Sequence, residues 1–354
     1  MSIKGRIFGT VVGAAGLAAA AGAVGIARQN RVIGNRAAGE RVAFGELHST
    51  PLVVVADDAV DLHVEIDEPT DFGGAPATDD DLTVVFVHGY SLNLDCWHYQ
   101  RAAYRGQVRT VFYDQRSHGR SARSDEDHCT IEQLGHDLRR VIEDTSPGPC
   151  VVVGHSMGGM SVVSLAEHYP ELFGDKVVGA ALISTTAGGL DPGRILFPMV
   201  PLGISGRFVG RAVRTLNLGH RVVDRARVWG HAAADVMTDR YAFGDDVPAD
   251  HVEFVYSMLN STPFAVVADF YPAFATLDHF DHLEPLGRVP TAIICGTEDK
   301  ITSVAHSRKL HSRIPGSSLL ECEGAGHMVL LERHKDVTAE LDDLLSLAQG
   351  QVPR

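Results

Sequence analysis

Three residues far apart in the chain have the types that acyl-transfer chemistry needs: a serine at 156, an acid at 299 and a histidine at 327. Ser156 is the centre of Gly154-His155-Ser156-Met157-Gly158, behind the apolar run 150–153 and ahead of a helix-like stretch from Met160 to His168. Glycines two before and two after a serine leave room for a sharp strand-to-helix turn. Such a turn lifts the hydroxyl above the sheet edge and aims the amides of the helix N-terminus at developing negative charge. Alone, the pattern also describes a glycine-rich turn, so the partners decide. A nucleophilic serine needs a base, and the base needs an orienting acid. Residues 290–296 read as a buried strand, followed by Asp299, with Glu298 as the alternative acid; residues 318–322 read as another strand, running into Gly324-Ala325-Gly326-His327. Acid and base therefore lie just past the C-terminal ends of strands, the edge at which open parallel sheets place their ligands. For a tetrahedral oxyanion, one amide comes from Met157. The second comes from Tyr90, in the His88-Gly89-Tyr90 turn after the strand 82–87.

The combination resembles the α/β-hydrolase family, in its cap-bearing serine hydrolase branch, over about residues 50–349. The likeness is carried by His88-Gly89-Tyr90, the stretch Asp114 to Ser121, the serine turn, Asp299 and His327. Members commonly have glycine where this chain has Ser117; that stretch reads as a structural turn beside the serine. Epoxide hydrolases and haloalkane dehalogenases of similar layout carry aspartate at the position of Ser156, so serine argues against both. The resemblance implies an α/β fold, with a mostly parallel central sheet flanked by helices and an inserted helical cap. It implies hydrolysis of esters with an apolar acyl or alkyl group through Ser156, His327 and Asp299, needing no cofactor and no metal. Thioesterases, acyltransferases, carbon–carbon bond hydrolases and cofactor-free perhydrolases use the same layout, and a non-catalytic ligand-binding protein is a reading of another class.

The elements expected to position these residues alternate along the chain. Residues 52–56 and 60–66 read as an antiparallel hairpin. Strands follow at 82–88, 108–114, 150–154 and 177–183, with helices at about 94–105, 130–144 and 157–169. This alternation predicts a parallel sheet with right-handed crossovers. Residues 46–186 and 286–349 are assigned to the core and 187–285 to a cap, which holds twelve of the 24 aromatic residues. Within the cap, Ile195 to Ile204 is an apolar stretch broken by Pro198, Pro201 and Gly203, the composition of a gate. The acidic and histidine residues from Asp278 to Glu284 match no metal-ligand spacing and read as an exposed polar helix face.

The N-terminus, residues 1–45, reads separately. Ile7 to Ala27 is an uncharged run of 21 residues, long enough to cross a bilayer, with basic residues on both flanks. Membrane association through this helix is the expectation; a cleaved signal peptide, giving a secreted protein, is the alternative. The net charge of −14 argues against nucleic acid as a partner. Five cysteines without framework spacing argue against a disulfide scaffold; Cys150, Cys295 and Cys322 fall in or beside apolar strands.

Overall fold

The computed structural model describes residues 25–36, 43–74, 81–190 and 231–351. Eight strands form one sheet in the order β1-β2-β4-β3-β5-β6-β7-β8. They are β1 (Pro51–Val55), β2 (Asp61–Asp67), β3 (Thr83–Val87), β4 (Arg109–Tyr113), β5 (Cys150–His155), β6 (Val177–Ile183), β7 (Thr291–Gly296) and β8 (Ser318–Cys322). β2 pairs antiparallel with both β1 and β4, and the strands β4, β3, β5, β6, β7 and β8 pair in parallel. The central strands β3, β5, β6 and β7 are buried along their whole length. That is why they appear in the sequence as continuous apolar runs rather than as alternation.

Among the described residues the longer helices are α1 (25–34), α2 (His98–Tyr104), α3 (Ile131–Thr145), α4 (Met157–His168), α5 (His231–Ala242), α6 (Ala249–Ser261), α7 (Phe264–Ala275), α8 (Val304–Arg313) and α9 (His334–Gln349), with a single helical turn at Val329–Glu332. Two buried apolar clusters occupy opposite faces of the sheet. Phe86, Phe112, Val151, Val153 and Ile294 belong to one, and Val85, Val87, Val152, Leu182 and Ile293 to the other. Neighbouring residues of one strand thus point to opposite faces, each covered by helices. In α3, Thr130 caps the first turn by accepting the amide of Gln133 at 3.1 Å, and the buried residues Leu134, Leu138, Val141 and Ile142 recur at helical spacing.

Two readings of local structure need correction. The helix expected over about 94–105 begins as a 3-10 turn, Leu94–Trp97, and becomes α-helical only at His98. Its first amides are claimed from outside: Asn93 Oδ1 accepts from Asp95, and the Asp114 carboxylate accepts from Leu94 at 2.8 Å. The segment 278–284 is not a helix face either. It comprises an isolated bridge at Asp278 and the 3-10 turn Phe280–His282, with Glu284 opening a second such turn. His279 and His282 face Glu167 on α4.

Cys150, Cys295 and Cys322 lie in β5, β7 and β8, and all five cysteines are buried free thiols. Among the described residues, no helix is long and apolar enough to cross a membrane. The apolar run 7–27 lies outside the described residues up to residue 24, as does the Ile195 to Ile204 stretch.

Candidate active site

β5 ends at His155, and the chain turns directly into α4. Ser156, at the turn, has φ 53° and ψ −117°, a backbone conformation that non-glycine residues rarely adopt. The turn is held by the Ser156 amide donating to the carbonyl of Ile183 at 2.9 Å and by Thr185 Oγ1 donating to the Ser156 carbonyl at 2.6 Å. The glycines are steric necessities. A Cβ on Gly158 would lie 2.1 Å from the carbonyl oxygen of Val87, and one on Gly154 would lie 2.5 Å from the carbonyl oxygen of Gly158. No side chain fits either gap.

The tertiary structure brings together all three chemistry-bearing residues. Ser156 Oγ is 3.0 Å from His327 Nε2, and His327 Nδ1 is 2.9 Å from Asp299 Oδ2. All three side chains are buried. Asp299 is further supported by the amides of Ile301 and Thr302, which donate to Oδ1 at 2.8 and 2.9 Å, and by Thr302 Oγ1, which donates to Oδ2 at 2.8 Å. Burial pushes the Asp299 carboxyl up, but the adjacent His327 and these hydrogen bonds outweigh it and hold the group below its usual value. Glu298 is exposed, and the hydrogen bond to the histidine comes from its neighbour.

The His327 loop is tied to the neighbouring strands. The His327 carbonyl accepts from His155 Nε2 at 3.0 Å, and the Ala325 carbonyl accepts from the Glu298 amide at 2.9 Å. Burial, reinforced by the nearby His327, pushes the His155 imidazole down to about 3, so it remains neutral.

The turn carrying Tyr90 is fixed by the stretch from Asp114. His88 Nδ1 donates to the Gly89 carbonyl at 2.7 Å, and its Nε2 accepts from the Gln115 amide at 2.9 Å. The Gln115 side chain donates to the His88 carbonyl at 2.6 Å and accepts from Ser161 on α4 at 2.8 Å. The two turns that supply Tyr90 and Met157 are therefore cross-linked through Gln115. Ser117 sits at φ 66°, which explains why glycine suits this position, and its hydroxyl accepts from the Ser124 amide at 2.9 Å. Met157 is the first residue of α4, where amides have no partner within the helix. The side chains of Met157 and Tyr90 share an apolar cluster with Met160, Val266, Phe270 and Phe274, between α4 and α7. The Tyr90 hydroxyl donates to the Val267 carbonyl on α7.

Thr185, Thr302 and the role of His155 are not evident from motif reading. Only Thr302, three residues after an aspartate, carries a local signal, that of a side-chain turn. Among the described residues, no group of three or more histidine, cysteine or acidic side chains is arranged to hold a metal ion.

A parallel sheet with a strained serine between β5 and α4, and acid and histidine beyond β7 and β8, defines the class, and the chain belongs to the alpha/beta hydrolase family, whose pattern it matches over residues 84–341. It is 24% identical over 258 residues to an uncharacterized protein of Mycobacterium bovis, covering 69% of each chain. It is also 24% identical to the 3-oxoadipate enol-lactonase 1 of Acinetobacter baylyi, covering 82% of this chain and 94% of the relative. The fold is similar to that of a thermophilic esterase from Thermogutta terrifontis, with a TM-score of 0.64 and 20% identity, covering 85% of this chain and all of the esterase.

Proposed function

We propose that the protein is a serine hydrolase of carboxylic esters with an apolar acyl or alkyl group. The observation that carries this reading is the unbroken row from Ser156 Oγ to His327 to Asp299, at 3.0 and 2.9 Å, beginning at a strained serine on a helix N-terminus. His327 Nε2 takes the Ser156 proton as Oγ attacks the ester carbonyl, while Asp299 holds Nδ1–H and balances the imidazolium. The amides of Met157 and Tyr90 stabilise the oxyanion. The alcohol leaves with the proton from His327, and water activated by the same imidazole releases the acid from Ser156. The side chains of the two amide donors lie in an apolar cluster, which supports an apolar group next to the reacting carbonyl. The esterase and enol-lactonase among the similar proteins support ester-bond hydrolysis. Residues 7–27 are assigned to membrane attachment, on their length and lack of charge.

The test is labelling of the full chain with a fluorophosphonate, together with turnover of p-nitrophenyl esters of increasing acyl length. Labelling and turnover that vanish in Ser156→Ala support the reading. Labelling that survives in Ser156→Ala overturns the serine, and binding of apolar esters without turnover points to a receptor on this fold. Recovery in the membrane fraction, lost when residues 1–24 are removed, checks the attachment.

A further inference from the structure

The loop that carries His327 is gripped by a carboxylate that plays no part in the hydrolytic row. Glu332 follows His327 by five residues, at the end of the short helical turn Val329–Glu332. Its Oε1 accepts the amide of Gly326 at 2.6 Å, and its Oε2 accepts the amides of Gly244 and Asp245 at 3.0 and 3.2 Å. One oxygen thus holds the residue before His327, and the other holds the loop that leaves α5. These segments are about 80 residues apart in sequence, and both present backbone donors to one side chain.

The two segments are in direct backbone contact. A Cβ on Gly244 would lie 2.2 Å from the Gly324 carbonyl oxygen, and one on Gly326 would lie 2.5 Å from the Gly244 nitrogen. The Met328 amide donates to the Ala242 carbonyl at 2.8 Å. Arg333 pairs with Asp245 and donates to the Glu323 carbonyl at 2.8 Å, closing the junction on its solvent side. A carboxylate drawn out of water is costly unless its oxygens are satisfied. Here each oxygen is satisfied by a different loop, so the side chain gains its partners only when the loops are closed on each other.

We propose that Glu332 is the positioning residue of the base: it clamps the Gly324 to His327 loop to the loop after α5, and so sets the distance from His327 Nε2 to Ser156 Oγ. This rests on His327 acting as the base. A glutamine has one acceptor oxygen and an amide that cannot accept, so Glu332→Gln keeps the volume and releases one of the two loops. A shift of about 1 Å at a reacting atom costs on the order of 100-fold in rate.

The experiment compares full-length wild type with Glu332→Gln and Gly244→Ala. Glu332→Gln is expected to lower kcat and the rate of fluorophosphonate labelling together, by roughly 10- to 100-fold, with KM within about threefold of wild type. Gly244→Ala pushes the same junction apart while leaving both carboxylate oxygens in the chain, and is expected to lower kcat in the same way. Amide hydrogen exchange gives the readout that needs no activity. In wild type the amides of Gly326, Gly244 and Asp245 are protected, and Glu332→Gln speeds exchange in both loops. A folded Glu332→Gln with unchanged kcat and unchanged exchange overturns the clamp, as do unprotected amides in wild type. If wild type itself shows no Ser156-dependent labelling, the hydrolase reading has failed, and the exchange measurement still decides the clamp.

Discussion

The hydroxyl of Thr302 donates to Asp299 Oδ2 at 2.8 Å, the same carboxylate oxygen that faces His327 Nδ1. Thr302 gives its backbone amide to the other oxygen of that carboxylate, so one residue donates to both oxygens of Asp299. Thr302→Val removes the hydroxyl at nearly constant shape and takes away one of the two hydrogen bonds on Oδ2, while the backbone amides on Oδ1 remain, so the oxygen that faces the histidine is less firmly placed. The expected outcome is a kcat lowered by about tenfold with KM unchanged, and stability lowered by about 1 kcal/mol. Thr302→Ser restores the donor and with it most of kcat. Steady-state kinetics of the two variants check this, and a Thr302→Val enzyme with wild-type kcat removes the residue from the positioning of the acid.

Ser156 is held at φ 53°, and only glycine occupies that region without strain. Ser156→Gly is therefore expected to be inactive yet more stable than wild type, by about 1 kcal/mol. Ser156→Ala loses activity without that gain, because its Cβ is retained. Urea denaturation of the three proteins at one pH provides the comparison. Equal midpoints for the glycine and alanine variants would show that the turn stores no strain.

His118 is fully buried, donates Nδ1–H to the Arg116 carbonyl at 2.9 Å, and is pushed down to about 3 by burial and by the nearby His88. Its folded value lies below the ordinary histidine value of about 6.5, so the unfolded chain binds the proton first. The stability it contributes is fully present above about pH 6.5 and is lost as the pH falls towards 3. Between pH 6 and 4, wild type is expected to lose about 1.4 kcal/mol more per pH unit than His118→Gln, which has no proton to take up. Unfolding free energies from urea titrations across that range measure the difference. Parallel slopes for the two proteins would contradict a neutral buried His118.

The segment before the sheet is docked on the end of α5 and the loop that follows it. Arg36 pairs with Asp239, donates to Asp246 at 2.6 Å and to the Val247 carbonyl at 3.3 Å, and Ile33 is buried in the same apolar cluster as Ala242, Phe243 and Val247. Arg36→Ala leaves the buried Asp239 without this partner and is expected to cost about 2 kcal/mol. A chain beginning at residue 25 is expected to melt like the full chain, whereas one beginning at residue 42 melts several degrees lower. Thermal melts of the three chains decide this, and identical melting points would show that the docked segment adds no stability.

The core strands and the serine turn are legible because their causes are local. The buried strands β3, β5, β6 and β7 need apolar side chains on both faces, so they stand out as runs. Gly154 and Gly158 are required by contacts within a few residues or with the adjacent strand, and their spacing around Ser156 survives as a pattern. The boundary of α2 was not legible. The carboxylate that takes the Leu94 amide belongs to Asp114, 20 residues away, and nothing within the segment announces it. The 278–284 stretch misleads for the same reason: polar composition suggests a solvated helix, while its histidines turn to Glu167 on a helix more than a hundred residues earlier.

By itself, the sequence determined the strands in their chain order, the helices that follow β4 and β5, the turn at Ser156 and a histidine beyond the last strand, because sterics and hydrophobic periodicity act over short spans; that Asp299 rather than Glu298 faces His327 came from the fold. Only the tertiary structure decided which polar groups meet. Thr185 reaches the Ser156 carbonyl across 29 residues, His155 reaches the His327 carbonyl across 172, and Glu332 joins Gly326 to Gly244 and Asp245. A hydrogen bond requires its partner within about 3 Å. Whether a distant backbone group arrives there depends on how the whole chain returns through the sheet.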